Sequence, residues 1–128
     1  MSTEKQEVGA VTWIDLTVSG AETVKNFYSE VTGWKVDKVS MGDYNDYNML
    51  SPSSGKPIAG ICNKLGANEN LPSHWLIYIT IENMNEKIAR CKELGGQILV
   101  EPKDVGGYGK YCVIKDPAGA VCALFESN

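Results

Sequence analysis

The segment WIDLTVSGAETVKNFYSEVTG at residues 13–33 decides the fold, because a similar segment, LIYITIENMNEKIARCKELGG, follows at residues 76–96. Each segment begins with alternating aliphatic residues, continues through a polar turn into a run with helical spacing, and ends at glycine. Val18 to Gly33 spans 15 positions and Ile81 to Gly95 spans 14, so the copies differ by one residue in the turn. This self-similarity predicts two copies of one supersecondary unit.

The start of each segment has the period of a β-strand. Aliphatic residues occupy every second position and therefore share one face, which suits packing against a helix. The opposite face mixes aromatic, hydroxyl and acidic groups, as the wall of a cavity would. The aliphatic residues are Ile14, Leu16 and Val18 in the first strand and Ile77, Ile79 and Ile81 in the second.

A helix and three more strands are predicted to follow each opening strand. Apolar residues at helical spacing predict helices over residues 21–32 and 84–94, which end at Gly33 and Gly95, with Asn83 as an N-cap. Val24, Phe27, Tyr28 and Val31 form the apolar positions of the first helix. Turn residues separate the further strand-like runs, which cover residues 34–40, 44–51 and 57–63, then 97–100, 109–115 and 120–126. The pattern is βαβββ twice, an α+β architecture.

Two short motifs, in this order and within the duplicated layout, resemble a known family. Phe27-Tyr28 followed by Thr32-Gly33-Trp34 is similar to the helix ending "FY…LGW", and Asp116–Gly119 (DPAG) is similar to the closing hairpin "DPxG". Both belong to the vicinal oxygen chelate superfamily (glyoxalase/bleomycin resistance protein/dioxygenase). The resemblance implies an open eight-stranded cup and a homodimer. We expect a single domain over residues 1–128, with module one at about 8–63, a linker at 64–73 and module two at about 74–126.

The resemblance also implies where a metal would bind, and these positions hold side chains that cannot bind one. Metal-dependent members place His, Glu or Gln at one cavity-facing position in each of four strands. In this sequence the positions fall on Trp13, Leu76 and Ala123, and on either Ala59 or Gly60. The sequence contains one histidine, His74, which follows Pro72 and Ser73 and is interpreted as a linker residue or a residue at the cavity rim. We therefore expect no metal and no other cofactor.

Composition narrows the classes of partner. A formal net charge of -4 does not favour binding to nucleic acid, and no apolar run approaches the roughly 18–20 residues of a membrane span. Residues 1–9 are polar and charged, unlike a signal peptide, so a cytoplasmic location is predicted. Four cysteines without a CxxC pair (Cys62, Cys91, Cys112 and Cys122) indicate reduced, buried thiols rather than a zinc site.

If the assignment of strand faces holds, a largely apolar and aromatic cavity follows, which suits an apolar or flat organic ligand. The alternative is that these side chains fill the cup as core. Asp15 is a carboxylate within an apolar strand, which indicates either a ligand-binding or catalytic base or a structural hydrogen-bond partner. The candidate cavity residues are Trp13, Asp15, Thr17, Leu76, Tyr78, Thr80, Tyr111, Ala123 and Phe125.

Three functions are compatible with this pattern. The first is a metal-independent, bleomycin-resistance-like protein that binds a small organic molecule in the cup. The second is a metal-dependent lyase or dioxygenase of the glyoxalase type, which would need donors where Trp13, Leu76 and Ala123 stand. The third is a non-catalytic interaction module with a self-filled cavity. The absent donors favour the first.

Overall fold

The computed structural model of the chain describes residues 7–128, which form eight strands and two helices. The predicted α+β class with two βαβββ modules is confirmed. A short 3-10 turn, Gly66–Asn68, lies between the modules. The elements are β1 (Val11–Val18), α1 (Ala21–Thr32), β2 (Lys35–Ser40), β3 (Asn45–Leu50), β4 (Pro57–Asn63), β5 (Trp75–Thr80), α2 (Met84–Glu93), β6 (Gln97–Val105), β7 (Gly109–Lys115) and β8 (Val121–Ser127).

Most element bounds agree with the sequence pattern to within one residue. The exceptions are β1, which begins two residues before the predicted Trp13, and β6. The predicted run ended at Val100, whereas the strand continues to Val105. The register with β7 shifts between Ile98 and Val100 and again between Val100 and Lys103. Since β6 is the last strand in its sheet order, Pro102 can lie within it without breaking an inner ladder of hydrogen bonds.

The chain divides into two compact units, which are described separately. The first unit comprises Ile14–Trp75, and its strand order is β2-β3-β4-β1, with β1 and β4 parallel. The aliphatic residues of β1 pack under α1, as the period of two predicts. The core of this unit is formed by Leu16, Val18, Ala21, Tyr47, Met49, Ala59 and Ile61.

The second unit joins residues 7–13 with Leu76–Asn128, and its strand order is β5-β8-β7-β6. Strands β5 and β8 are parallel, and β7 is antiparallel to both β8 and β6. Met84 and Ile88 of α2 pack on Cys112 and Leu124 of the sheet. Ile79, Ile81, Ile98 and Ile114 complete this layer.

The two helices depart from the predicted details in different ways. On α1, Val24 and Tyr28 pack against the core, but Phe27 and Val31 are 58% and 66% exposed, so the predicted apolar stripe is only half used. On α2, Asn83 occupies the N-cap position with φ 57° and makes no side-chain capping bond. Instead the carboxylate of Glu126 on β8 accepts hydrogen bonds from the backbone N–H groups of Asn83 (2.9 Å) and Met84 (3.3 Å).

All four cysteines are free thiols. Cys112 is buried, whereas the other three are half-buried, so the predicted burial is correct in full only for Cys112. Among residues 7–128, neither helix combines the length and the apolar character needed to cross a membrane.

Candidate functional site

The candidate site is one side of the sheet in the second unit. Residues of β5, β7 and β8 that pack on α2 alternate with residues that point to the opposite side. On that side Ala123 lies between Tyr78 and Val113 in the register, and Phe125 lies between Thr80 and Tyr111. We call this side the aromatic face, formed by Leu76, Tyr78, Thr80, Tyr111, Val113, Ala123 and Phe125.

The aromatic face is almost wholly shielded from water. Phe125 and Ala123 are 0% exposed and Tyr78 is 8% exposed, whereas Tyr111 is half-buried. The rings of Tyr78 and Tyr111 lie with centroids 6.2 Å apart and planes inclined by 36°. Thr80 is buried, and its hydroxyl is 2.9 Å from the hydroxyl of Thr12. The face therefore combines aromatic surface with a few hydroxyl groups, and Tyr111 is its accessible edge.

The predicted cavity residues are divided between the two units. Trp13, Leu76, Tyr78, Thr80, Tyr111, Ala123 and Phe125 belong to the second unit, and Trp13 is buried there. Asp15 and Thr17 belong to the first unit. Thr17 is buried and Asp15 is half-buried.

The register of the strands decides which residue holds the fourth metal position. Asp15 of β1 pairs with Gly60 of β4, just as Tyr78 of β5 pairs with Ala123 of β8. Gly60, rather than Ala59, is therefore the counterpart of Ala123, and Ala59 packs in the core under α1. None of the four residues at the family's metal positions has a side chain that ligates a metal ion, so these positions do not fit one.

The other potential metal ligands in the part of the chain that the structure describes do not form a metal site either. Within residues 7–128, no group of three or more His, Cys, Asp and Glu side chains could hold a metal ion. His74 is exposed immediately before β5, in agreement with its interpretation as a linker residue.

The first unit presents a polar face where the second presents the aromatic one. Away from α1, its strands carry Asp15, Asp46, Asn48 and Cys62. Asp46 Oδ1 accepts hydrogen bonds from the backbone N (2.9 Å) and Nδ2 (3.0 Å) of Asn63. Burial raises the pKa of the Cys62 thiol far above its usual value, and the charges of Asp15 and Asp46 add to this effect. Cys62 is consequently a neutral thiol and a poor nucleophile.

The first unit also contains a polar cavity of about 340 Å³, which the sequence analysis did not predict. Its lining comes from α1, the β2–β3 hairpin and the end of β4, so no local motif joins the residues. The cavity is lined by Glu22, Lys25, Lys38, Asp43, Tyr44, Asn45, Tyr47 and Asn63.

Comparison with known proteins places this fold in a family. Residues 10–124 match the model of the family described as Glyoxalase/Bleomycin resistance protein/Dioxygenase superfamily. CFP32 of Mycobacterium bovis (strain ATCC BAA-935 / AF2122/97) is 27% identical over 121 residues, which cover 94% of this chain and 46% of that protein. The "Anthracycline biosynthesis protein DnrV" of Streptomyces peucetius is 27% identical over 132 residues, covering 94% of this chain and 48% of that protein. The chain thus spans about half the length of the curated relatives it matches.

Solved structures share the fold at low sequence identity. The methylmalonyl-CoA epimerase of Mycobacterium tuberculosis aligns with a TM-score of 0.61 and 12% identity, covering 98% of this chain and 95% of that one. A superfamily member from Vibrio splendidus 12B01 aligns with a TM-score of 0.59 and 13% identity, covering 89% and 96% respectively. At this identity the likeness concerns the fold alone.

Proposed function

Because the chain belongs to the Glyoxalase/Bleomycin resistance protein/Dioxygenase superfamily, we propose that it binds a small, flat, apolar or aromatic organic molecule without a metal ion. The aromatic face of the second unit is the proposed binding surface. The observation that carries the proposal is the replacement of metal donors by apolar side chains beside aromatic ones. Leu76 and Ala123 stand at two of the family's metal positions on this face. Ala123 pairs with Tyr78 in the register, and Phe125 lies two residues further along β8.

The chemistry of the aromatic face supports a flat apolar ligand. Rings recognise other rings by offset stacking or edge-to-face contact, and burial of apolar surface provides the driving force. The hydroxyl groups of Tyr78, Tyr111 and Thr80 place a few polar atoms in this otherwise apolar face. Tyr111 is the half-buried member, so it is the side chain that a ligand would meet first.

The names of two relatives agree with this ligand class. DnrV of Streptomyces peucetius and DauV of Streptomyces sp. (strain C5) are both named as anthracycline biosynthesis proteins. Anthracyclines are built on a flat, fused ring system. A hydroxyanthraquinone is therefore a reasonable probe for this chain, although the relatives are about twice as long.

The proposal assigns no step to a metal ion, since Trp13, Leu76, Ala123 and Gly60 have no ligating side-chain atoms. A lyase or dioxygenase of the glyoxalase type would need such ligands to polarise substrate oxygens. The binding function that we propose needs only the enclosure of the ligand by aromatic and aliphatic side chains.

We further propose that the protein is a cytoplasmic homodimer. Four free thiols suit a reducing compartment. The exposed Phe27 and Val31 on α1 offer apolar surface for association. Sedimentation equilibrium tests the dimer, and a single species at the mass of one chain would contradict it.

The experiment that tests the binding function is a fluorescence titration with 1,8-dihydroxyanthraquinone, a neutral probe. The titration uses the Trp34→Phe, Trp75→Phe variant, in which Trp13 is the one remaining tryptophan. Quenching of the Trp13 fluorescence by the probe is expected to saturate. Replacing Tyr111 by Leu keeps an apolar side chain and removes the ring. It is expected to weaken binding by roughly fivefold, since stacking on one ring contributes about 1 kcal/mol.

Tyr108→Leu is the matched control for this titration. Tyr108 lies in the same unit at the β6–β7 turn and is 36% exposed, outside the aromatic face. Its replacement is expected to leave the affinity unchanged. Equal weakening by both substitutions, or a probe that never saturates, would remove the aromatic face as the binding surface and favour a self-filled module.

A further inference from the structure

The polar cavity of the first unit is a second place where a ligand fits. It occupies about 340 Å³ between the start of α1 and the β2–β3 hairpin. Its inner side chains are Tyr47, which is 6% exposed, and Lys25, which is half-buried. Glu22, Lys38 and Asp43 are exposed and form the rim. Two of the three donor residues, Tyr47 and Lys25, are therefore less exposed than the carboxylates.

The hydroxyl of Tyr47, a largely buried residue, lies at the cavity. Its ring packs in the core with Met49 and Ile61, whereas the residue also lines the cavity. Among residues 7–128, no hydrogen bond is made by the Tyr47 hydroxyl. Every fully buried side-chain oxygen and nitrogen in the same range has a hydrogen-bond partner. Because the Tyr47 hydroxyl has none, it is not fully buried and is reachable from the cavity. Burial, together with Glu22 and Asp46, raises the pKa of Tyr47, which keeps the phenol protonated and able to donate.

Lys25 lies over the same ring. Its Nζ is 5.1 Å from the centroid of the Tyr47 ring and donates to Asn26 Oδ1 at 2.9 Å. An ammonium group has three N–H donors, so donors remain for a ligand. The cation–π contact and the hydrogen bond hold the ammonium group beside the Tyr47 ring.

Lys38 adds a second positive charge from the neighbouring strand. It pairs with Tyr47 in the register of β2 and β3, which places both residues on the same side of the sheet. In the described part of the chain the salt bridge is Arg90–Glu93, so neither lysine is neutralised by an ion pair. Glu22 and Asp43 are exposed, so water and salt weaken the repulsion of an anion by their carboxylates, although Glu22 still acts on the Tyr47 hydroxyl.

We propose that this cavity binds a small organic anion, whose carboxylate or phosphate group accepts hydrogen bonds from the Tyr47 hydroxyl and the Lys25 ammonium group. Lys38 contributes a longer-range attraction at the rim. Glu22 and Asp43 repel highly charged polyanions and so restrict the site to small ligands. This site lies wholly within the first unit and is independent of the aromatic face.

The test is a pair of titrations, one with inorganic phosphate and one with glutarate, followed by NMR amide shifts of Asn45 and Asn63. Both residues line the cavity. Ionic strength is held constant with sodium chloride, and a chloride titration provides the reference. Saturable shifts with phosphate, with glutarate or with both support the site and identify which anion it prefers. Shifts no different from those with chloride overturn the proposal.

Two substitutions make the test specific. Tyr47→Phe removes only the hydroxyl and is expected to weaken binding by roughly tenfold, the loss of one hydrogen bond to a charged group. Lys38→Gln is expected to weaken anion binding by a smaller factor. Lys35→Gln is the matched control, because it removes the same charge from the same strand outside the cavity, and it is expected to leave anion binding unchanged. An unchanged affinity in Tyr47→Phe, with a native amide spectrum, would contradict the proposal. Equal weakening of anion binding by the two lysine variants would also contradict the proposal.

Discussion

The two units share a backbone pattern and differ in what their sheets carry on the side away from the helix. In the first unit Asp15, Gly60 and Asn48 lie next to one another, whereas Tyr78, Ala123 and Val113 hold the corresponding places in the second. The helix-facing sides remain apolar in both units. Packing under a helix therefore constrains one side of each sheet, while the other side is free to acquire different chemistry.

The largest expected effect of this difference is on stability. Phe125 and Cys62 occupy matching places, opposite Thr80 and Thr17 respectively. Phe125→Ala removes a 0% exposed ring and is expected to lower the free energy of unfolding by about 3–5 kcal/mol. Cys62→Ala removes one sulfur atom and should cost about 1 kcal/mol. Urea unfolding of the two variants measures both, and equal losses would mean that the two faces are packed alike.

The turns that close the two sheets offer a smaller contrast. Asp116 Oδ1 accepts from the backbone N of Ala118 (2.8 Å) and Ala120 (3.0 Å). Ser51 Oγ accepts from the backbone N of Ser53 (3.2 Å) and Ser54 (3.3 Å). Since a charged acceptor makes the stronger bonds, Asp116→Ala is expected to cost about 1–2 kcal/mol and Ser51→Ala about half of that. Thermal unfolding under matched conditions gives the order of the two stability losses. A larger loss of stability in Ser51→Ala than in Asp116→Ala would refute the prediction.

The smallest expected effect concerns the thiols at alkaline pH. Burial raises the pKa of Cys112 from 9.0 to about 12, with Cys91 as the next cause. The stability that this thiol contributes is fully present below pH 9 and declines as pH rises from about 9 towards 12, because only the unfolded chain releases the proton readily. Between pH 8 and pH 9.5 the difference in the free energy of unfolding between the native chain and Cys112→Ala should shrink by about 1 kcal/mol.

Urea unfolding of the native chain and Cys112→Ala at the two pH values measures that change. Cys91→Ala is the control. Cys91 is half-buried on α2, and after its replacement the free energy of unfolding should still decline as the pH rises. A constant difference between the native chain and Cys112→Ala across this range would show that the thiol titrates alike in the folded and unfolded chain.

Much of the fold could be predicted because it depends on local periodicity. The bounds of α1, β4 and β7 follow from apolar spacing and from the glycines and turn residues beside them. The extension of β6 beyond Val100 could not be predicted, since bulges in the register and the edge position of the strand allow Pro102 inside it. The capping of α2 by Glu126 joins residues 42 and 43 positions apart, which local patterns do not contain.

The candidate site was predicted in part. Strand parity identified the buried members of the aromatic face, and the register then decided between Ala59 and Gly60. Parity does not show whether a buried ring packs as core or contacts a ligand, because both roles require the same apolar surface. The polar cavity around Tyr47 arises from three separate elements, so only the folded chain brings its donors together.

The central proposal is that ligand binding on the aromatic face needs no metal ion. The most direct test is to titrate chelator-treated protein with 1,8-dihydroxyanthraquinone and to repeat the titration after incubation with nickel, zinc, iron and manganese. We predict saturable binding after chelation and the same affinity after each metal. Binding that occurs only after a metal has been added would contradict the account, since it would require metal donors that Trp13, Leu76, Ala123 and Gly60 do not provide.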